Sequence, residues 1–202
     1  ILANLIQPTR GSVSLGGLPP SEMTANRKVV WMSQDPALLP WYTARQNIML
    51  AQRFASVSKV SPVSADDLLK MVGLEDFSSA YPNNFSGGMQ QRLSLARALA
   101  MNADLWLMDE PFAALDELTR ERLTIQLSEI WQRTCPTVLW VTHNISEAVR
   151  LSDRVLAMTP HPGRLYGEVK ISLPRPRDDT SVEFQRIVRK LKQMLTTSER
   201  LR

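Results

Sequence analysis

The chain has 202 residues, 44% of them hydrophobic and 22% charged, which is an ordinary soluble composition with enough length for one large domain or two small ones. It contains no run of about 18 apolar residues, so no membrane-spanning helix is predicted. The single cysteine, Cys135, excludes an intrachain disulfide, and the net charge of +4 is too weak to indicate nucleic-acid binding by itself.

The first segment, ILANLIQPTRG, has the pattern of the end of an amphipathic helix that Pro8 and Gly11 stop. Because this segment does not begin with Met, we expect the natural start of the protein to precede it. Short apolar runs bounded by turn residues then predict strands at residues 12–16 and 28–33.

The middle of the chain has apolar residues at helical spacing, which predict helices at residues 43–56, 65–72 and 88–101. Ser64 is suited to begin the second of these helices and Gly73 to end it. Continuous apolar runs predict buried parallel strands at residues 105–108 and 137–142, with a helix at residues 117–133 between them.

The last third begins with Asn144, which has Glu147 three residues on, as in a capping box. Residues 154–158 predict another strand, and residues 163–173 a terminal hairpin. A C-terminal amphipathic helix is predicted by apolar residues at helical spacing, namely Phe184, Ile187, Val188, Leu191, Met194 and Leu195.

The order of these elements predicts an α/β sheet domain with an inserted α-helical subdomain. We expect residues 1–42 and 102–173 to form the α/β core and residues 43–101 the helical subdomain. Residues 174–202 would form a tail with the amphipathic helix. Together these parts make one domain over residues 1–202.

Two adjacent acids, Asp109 and Glu110, end the apolar strand LWLM. Asp109 at such a strand end could hold Mg²⁺, directly or through water, and Glu110 could orient and deprotonate an attacking water. Taken alone, an acidic pair in this position is more often a helix cap or a solvated turn.

Gln34 and His143 also follow predicted strands, at the end where ligands bind in open α/β sheets. The Gln34 amide could ligate Mg²⁺ or position water, and the His143 imidazole could contact a terminal phosphate. The alternatives are a turn residue before Asp35 and a capping or core histidine.

The stretch FSGGMQQR places Ser86, Gly87 and Gly88 directly before a helical pattern. Bare backbone N–H groups, a hydroxyl and the positive end of a helix dipole together make an anion-binding helix start. A helix cap with a flexible entry is the alternative. Asp116, in AALD, is by default the N-cap of the helix that begins near Glu117.

In this order, the motifs resemble those of the ATP-binding subunit of ABC transporters. Gln34 matches the family's Q-loop, FSGGMQQR its signature motif, LWLMDE its Walker B with the catalytic glutamate, AALD its D-loop and His143 its switch histidine. The chain also resembles the branch of the family that imports nitrate, sulfonate, taurine and related solutes. This finer similarity lies in the sequences of three segments, QDPALLPWYTARQNI, DEPFAALDELTRERL and MTPHPGRL.

The resemblance implies a P-loop NTPase-like (RecA-like) sheet core that uses ATP and Mg²⁺. It implies a homodimer in which each ATP lies between the Walker motifs of one subunit and the signature motif of the other. The residues implied to contact the nucleotide across this interface are Ser86, Gly87, Gly88, Gln90 and Asp116.

Further implied partners are integral membrane permease subunits and, indirectly, an extracytoplasmic solute-binding protein, with no nucleic acid. The implied location is peripheral, on the cytoplasmic face of the plasma (inner) membrane. Trp41, Tyr42 and Arg45 would contribute to the groove that receives a cytoplasmic helix of the permease.

One family motif, the Walker A loop GxxxxGK[ST], is absent from the 202 residues, and ILANLIQPTRG corresponds to the segment just after it. We therefore expect the chain alone to bind Mg-ATP very weakly and to hydrolyse none at a measurable rate. The alternatives are a natural non-catalytic scaffold or regulatory module, and a soluble ABC ATPase of DNA repair or translation.

Overall fold

A computed structural model describes residues 1–55 and 63–199, the side chains of residues 198 and 199 excepted. The chain divides into two compact units, Ile1–Val141 and Thr142–Arg202. Each unit has its own sheet and its own buried apolar side chains, and each is described by itself.

The first unit is built on a three-stranded parallel sheet. Its strands are β1 (Val29–Met32), β2 (Leu105–Asp109) and β3 (Thr137–Val141), in the order β1-β2-β3. The central strand β2 is buried up to its last residue, because it has a neighbour on both sides and carries the continuous apolar run LWLM. These strands confirm the predictions for residues 28–33 and 105–108.

Within the described residues of this unit the α-helices are α1 (Pro20–Ala25), α2 (Ala44–Arg53), α3 (Ala65–Met71), α4 (Gly87–Leu99) and α5 (Glu117–Thr134). Short 3₁₀ turns lie at Glu75–Phe77 and Pro82–Asn84. The helices predicted at residues 65–72, 88–101 and 117–133 are confirmed. The helix predicted over residues 43–56 ends at Arg53, and residue 56 lies outside the described ranges.

Local capping sets the boundaries of these helices. Side-chain oxygens of Thr43, Ser64, Ser86 and Asp116 accept backbone N–H groups at the starts of α2, α3, α4 and α5. Gly73 follows α3 with φ +64°, a left-handed conformation that favours glycine after a helix end. The predicted start at Ser64 and stop at Gly73 are thus confirmed.

The second unit contains α6 (Ile145–Leu151), the strands β4 (Arg154–Met158) and β5 (Leu165–Lys170), and α7 (Val182–Glu199). The two strands pair antiparallel. The buried apolar residues shared by these elements are Val149, Val169, Ile171, Phe184, Val188 and Leu191. The strand predicted at residues 154–158 and the C-terminal amphipathic helix are confirmed.

Two predictions near the start are wrong. Residues 12–16 do not form a strand, because Gly16 and Gly17 turn the chain with φ +59° and +89° and only an isolated bridge joins Leu15 to Leu18. The first eleven residues form turns and bends, not a helix end. Leu5 and Ile6 are 65% and 70% exposed, so their side chains add little apolar packing that would stabilise a short helix.

Two strand predictions also need correction. Residues 163–173 do not fold on themselves as a hairpin, because β5 pairs back with β4. The strand β3 forms where predicted but is not buried, since it pairs with β2 on one side and, among the described residues, with no strand on the other. Leu139 and Val141 are 39% and 48% exposed.

None of the helices in the described ranges is both long enough and apolar enough to span a membrane.

Candidate functional site

The two acids at the end of β2 lie in a tightly held turn. Asp109 is in register with Val141 of β3, and the backbone N–H of Glu110 donates to the Val141 carbonyl at 2.9 Å. Glu110 has φ +47°, a left-handed conformation that residues other than glycine seldom adopt. Such local strain persists only where surrounding contacts hold it, and it clusters at functional sites. The turn therefore presents two partly exposed carboxylates at the carboxyl end of the sheet.

The carbonyl of Glu110 is held as well. It accepts the backbone N–H of Ala113 at 3.1 Å and the side-chain amide of Gln91 at 3.4 Å. Gln91 lies on α4 and is only 3% exposed. We did not predict this residue. Its signal is a polar amide on the buried face of a helix whose other buried positions are mainly apolar.

The start of α4, which was predicted to bind an anion, is a capped helix end with open space beside Gly87. The Ser86 hydroxyl accepts the backbone N–H of Met89 at 3.3 Å. Gly87 faces open space, since a Cβ added there would have no neighbour within 4 Å. A Cβ on Gly88, in contrast, would lie 3.0 Å from the Ala114 carbonyl, so the start of α4 packs closely on the loop after Glu110.

Gln90 turns back toward the residues before the helix. Its side-chain nitrogen donates to the carbonyls of Pro82 at 3.1 Å and Phe85 at 3.3 Å. This amide therefore holds the 3₁₀ turn that leads into the signature stretch. Its predicted contact with a nucleotide stays a prediction.

Asp116 is the N-cap of α5, as its default interpretation predicted. Its Oδ1 accepts the backbone N–H of Thr119 at 3.0 Å. The backbone and side-chain hydrogen bonds from Thr119, with a smaller contribution from the charge of Arg92, lower the pKa of the Asp116 carboxyl. The exposed carboxylate is therefore ionised throughout the neutral range. Asp116 lies at the end of the loop that contains Ala114, on which Gly88 packs.

Gln34 lies at the same edge of the sheet as Glu110. Met32 of β1 is in register with Met108 of β2, so Gln34 and Glu110 each lie two residues beyond a paired position. The Gln34 side chain is exposed. The sheet register thus places Gln34, Asp109 and Glu110 at one edge of the sheet, within the first unit.

His143 belongs to the second unit. It follows β3 by two residues and is exposed. The hydroxyl of Thr142 accepts the backbone N–H of Asn144 at 3.0 Å, so a local turn closes around His143. Asn144 in turn begins α6, because its Oδ1 accepts the N–H of Glu147 at 3.1 Å, which confirms the predicted N-cap.

Comparison with known proteins identifies the family. Residues 1–113 match the family described as ABC transporter. The chain belongs to the ABC transporter family.

Three relatives illustrate the similarity to members of this family. An uncharacterized ABC transporter ATP-binding protein of Methanocaldococcus jannaschii is 46% identical over 196 residues, covering 96% of this chain and 73% of the relative. The taurine import ATP-binding protein TauB of Rhizobium johnstonii is 38% identical, with 100% and 79% covered. The nitrate import ATP-binding protein NrtD of Synechococcus elongatus is 43% identical, with 90% and 67% covered.

Solved structures give the same answer for the fold. A dimeric ATP-binding cassette in a post-hydrolysis state, bound to ADP and Pi, matches with a TM-score of 0.72 and 30% identity, covering 84% of this chain and 78% of that one. An ATP-binding subunit of an ABC transporter matches with a TM-score of 0.70 and 26% identity, covering 84% and 71%. The fold is therefore the P-loop NTPase fold of ABC cassettes, as predicted.

The metal-binding capacity of this ABC cassette rests on few groups. Among residues 1–55 and 63–199, no group of three or more His, Cys, Asp or Glu side chains is placed to hold a metal ion. Asp109 still fits Mg²⁺, which proteins usually bind through one or two carboxylates while substrate phosphates and water complete the shell. The assignment of Mg²⁺ to Asp109 and Gln34 stays a prediction.

The loop after Gln34 is built around one buried amide. Asn47 is 0% exposed, and its side chain makes hydrogen bonds with Leu39, Tyr42 and Thr43. This loop displays Trp41, which is 67% exposed. We did not predict Asn47, because its partners are backbone groups that leave no mark on the sequence pattern.

Arg45, which was predicted together with Trp41 to contribute to the groove for a permease helix, has a defined partner within the chain. Its Nε and Nη2 donate to the two carboxylate oxygens of Asp66 on α3, at 2.9 and 3.2 Å. The pair is exposed, and the hydrogen bond from Arg45 lowers the pKa of Asp66. A role of Arg45 in partner binding therefore stays a prediction.

Proposed function

We propose that this chain belongs to the ATP-binding and ATP-hydrolysing subunit that energises an ABC importer for nitrate-, sulfonate- or taurine-like solutes. The observation that carries the proposal is that α4, whose start is the signature motif, bonds through Gln91 to the strained backbone of Glu110. Support for the branch comes from relatives named for taurine and nitrate import.

The chemistry we propose uses Glu110 as general base. Its carboxylate orients and deprotonates the water that attacks the terminal phosphate of ATP. Its left-handed backbone, held on the N–H side by Val141 and on the carbonyl side by Ala113 and Gln91, limits where this carboxylate can point. Precise placement of a reacting group is a large part of catalysis in phosphoryl transfer.

The phosphate contacts we propose come from the signature motif. The hydroxyl of Ser86 and the N–H groups of Gly87 and Gly88 lie at the positive end of α4, with open space at Gly87. Gln34 and His143 contact the terminal phosphate or its water, roles assigned from their motifs. Mg²⁺ bound near Asp109 would neutralise charge on the phosphates.

The assembly we propose is a head-to-tail pair of these subunits, with Asp116 at the interface between them. A structurally similar cassette is dimeric with ADP and Pi bound. In this arrangement, the signature motif of one subunit meets the nucleotide of the other.

The remaining partners we propose are permease subunits and, through them, an extracytoplasmic solute-binding protein. Trp41, which the buried Asn47 holds on an exposed loop, is the residue best suited to dock on a permease helix. The subunit would then be peripheral, on the cytoplasmic face of the membrane.

A Glu110→Gln substitution in the assembled transporter tests this function. We expect ATP turnover to fall by roughly 100-fold or more while ATP binding is retained, because the amide cannot take a proton. Glu117→Gln is the matched control, since Glu117 is an exposed carboxylate that pairs with Arg120 outside the proposed chemistry. Unchanged turnover in Glu110→Gln would refute the base assignment.

A further inference from the structure

The second unit contains two arginines, Arg175 and Arg177, that bind the carboxyl end of α6, the short helix whose N-cap Asn144 directly follows His143. Arg177 donates from Nη1 to the carbonyls of Val149 at 2.6 Å, Arg150 at 3.3 Å and Ser152 at 2.7 Å. Arg175 donates from Nη2 to the Leu151 carbonyl at 2.7 Å. The carbonyls at a helix end have no partner within the helix, and here the side chains of Arg175 and Arg177 satisfy them.

Arg177 is buried, whereas Arg175 and Arg150 are partly exposed and pair with acids. The Arg177 side chain is only 1% exposed, and burial lowers its pKa to about 10, so it stays charged at neutral pH. Arg175 donates to Asp153 at 2.6 Å, just past the end of α6. Arg150 of α6 forms an ion pair with Asp179. A buried guanidinium that serves several carbonyls fixes its neighbours more rigidly than a surface ion pair does.

The side of α6 is also fixed. Its buried Val149 packs with Phe184, Val188 and Leu191 of α7. The helix has 7 residues and is therefore about 10 Å long, so its two ends cannot move independently. His143 precedes the Asn144 N-cap at the other end, inside the turn that Thr142 closes.

We propose that Arg175 and Arg177 are positioning residues for His143. By holding the carboxyl end of α6, they determine where the loop before its amino end places the imidazole. This inference rests on the proposed function, in which His143 contacts the terminal phosphate of ATP.

Turnover in the assembled transporter is the first test. We expect Arg177→Met to lower kcat roughly 10-fold or more with a much smaller change in the KM for ATP, because displacement of a catalytic group affects the reaction more than binding. Arg177→Lys restores kcat only in part, since an ammonium cannot reproduce the planar fork. The control is Arg154→Met, which removes an exposed arginine paired with Glu168 in the same unit and should leave kcat within twofold.

A spectroscopic measurement on the 202-residue chain is the second test and does not depend on turnover. The chain has two histidines, His143 and His161, so only two sets of imidazole ¹H–¹³C resonances need to be assigned. We expect Arg175→Gln, a milder change at the same helix end, to shift the His143 resonance and leave that of His161 in place. If Arg177→Met does not fold, Arg175→Gln still tests whether this helix end positions His143.

The outcomes separate this inference from the function on which it rests. If His143→Ala leaves turnover unchanged, the proposed role of His143 fails, and the resonance shift alone tests whether the arginines position it. If His143→Ala abolishes turnover while folded Arg177→Met and Arg175→Gln keep wild-type kcat and an unshifted His143 resonance, the positioning role is overturned.

Discussion

Arg97 of α4 donates a hydrogen bond of 2.7 Å from Nη1 to the carbonyl of Ala37, a residue 60 positions earlier in the chain. Its Nη2 donates to the Pro36 carbonyl at 3.1 Å, and the hydroxyl of Ser94 donates to the same carbonyl at 3.1 Å. These contacts tie the segment directly after Gln34 to the helix that begins at the signature motif.

The same helix reaches the other predicted catalytic element. Gln91 donates to the Glu110 carbonyl, and Gly88 packs on the loop that leads to Asp116. One rigid helix therefore contacts the backbone beside Gln34, the backbone of Glu110 and the loop before Asp116. A displacement of the signature motif would be transmitted to all three.

Arg97→Met tests this connection. The guanidinium is largely buried, and burial lowers its pKa, so its hydrogen bonds to two carbonyls compensate for lost hydration. We expect the free energy of unfolding to fall by about 2 kcal/mol in urea titrations, because two charge-assisted hydrogen bonds to backbone carbonyls are lost. Arg133→Met, an exposed arginine on α5, should change it by less than about 0.5 kcal/mol. Equal effects of the two substitutions would contradict the connection.

Gly88→Ala and Gly87→Ala form a matched pair at the start of α4. The new Cβ at Gly88 would lie 3.0 Å from the Ala114 carbonyl, whereas the one at Gly87 would meet nothing within 4 Å. We expect Gly88→Ala to lower the free energy of unfolding by about 1 kcal/mol through overpacking. Gly87→Ala should keep or raise it, because alanine favours helices over glycine. Thermal unfolding of both variants checks this, and a reversed order would show that the contact at Gly88 is unimportant.

Much of the local structure was predictable because its signals are local. Ser64, Ser86 and Asp116 begin helices through hydrogen bonds to residues three positions on, and Gly73 ends a helix through its own φ angle. The position of the two acids at the end of β2 was likewise predictable, because a continuous apolar run marks the buried strand that precedes them.

Other features could not be predicted because they depend on partners that are distant in sequence or on a backbone conformation that the residue type does not reveal. Residues 163–173 have the alternation of a hairpin, but only the β4 pairing decides which strand β5 joins. Arg97 and Arg177 bind backbone carbonyls, which every residue possesses, so no pattern of residue types marks the contact. The left-handed backbone of Glu110 is equally hidden, since a glutamate gives no sign of a positive φ.

Asp116 should make stability depend on pH. Its folded pKa is lowered, so the ionised carboxylate stabilises the fold above its ordinary pKa of about 3.9 and loses this effect as pH falls through the lower folded value. Asp116→Asn keeps an oxygen that caps α5 but removes the charge. We expect the wild type to have the higher urea midpoint at pH 7 and the difference to disappear toward pH 2. A difference that is independent of pH would exclude the charge as its source.

The chain alone should bind Mg-ATP very weakly. The 202 residues contain no GxxxxGK[ST] loop, whose backbone N–H groups and lysine hold the phosphates in P-loop NTPases. The signature motif offers one hydroxyl and a helix start, which is far fewer charge-assisted contacts than a complete phosphate cradle. We therefore expect calorimetry to give a Kd above about 1 mM, or no measurable heat. Ser86→Ala is the control, because any weak binding that depends on the signature motif should disappear in it. A micromolar Kd that survives Ser86→Ala would mean that another part of these 202 residues binds the phosphates.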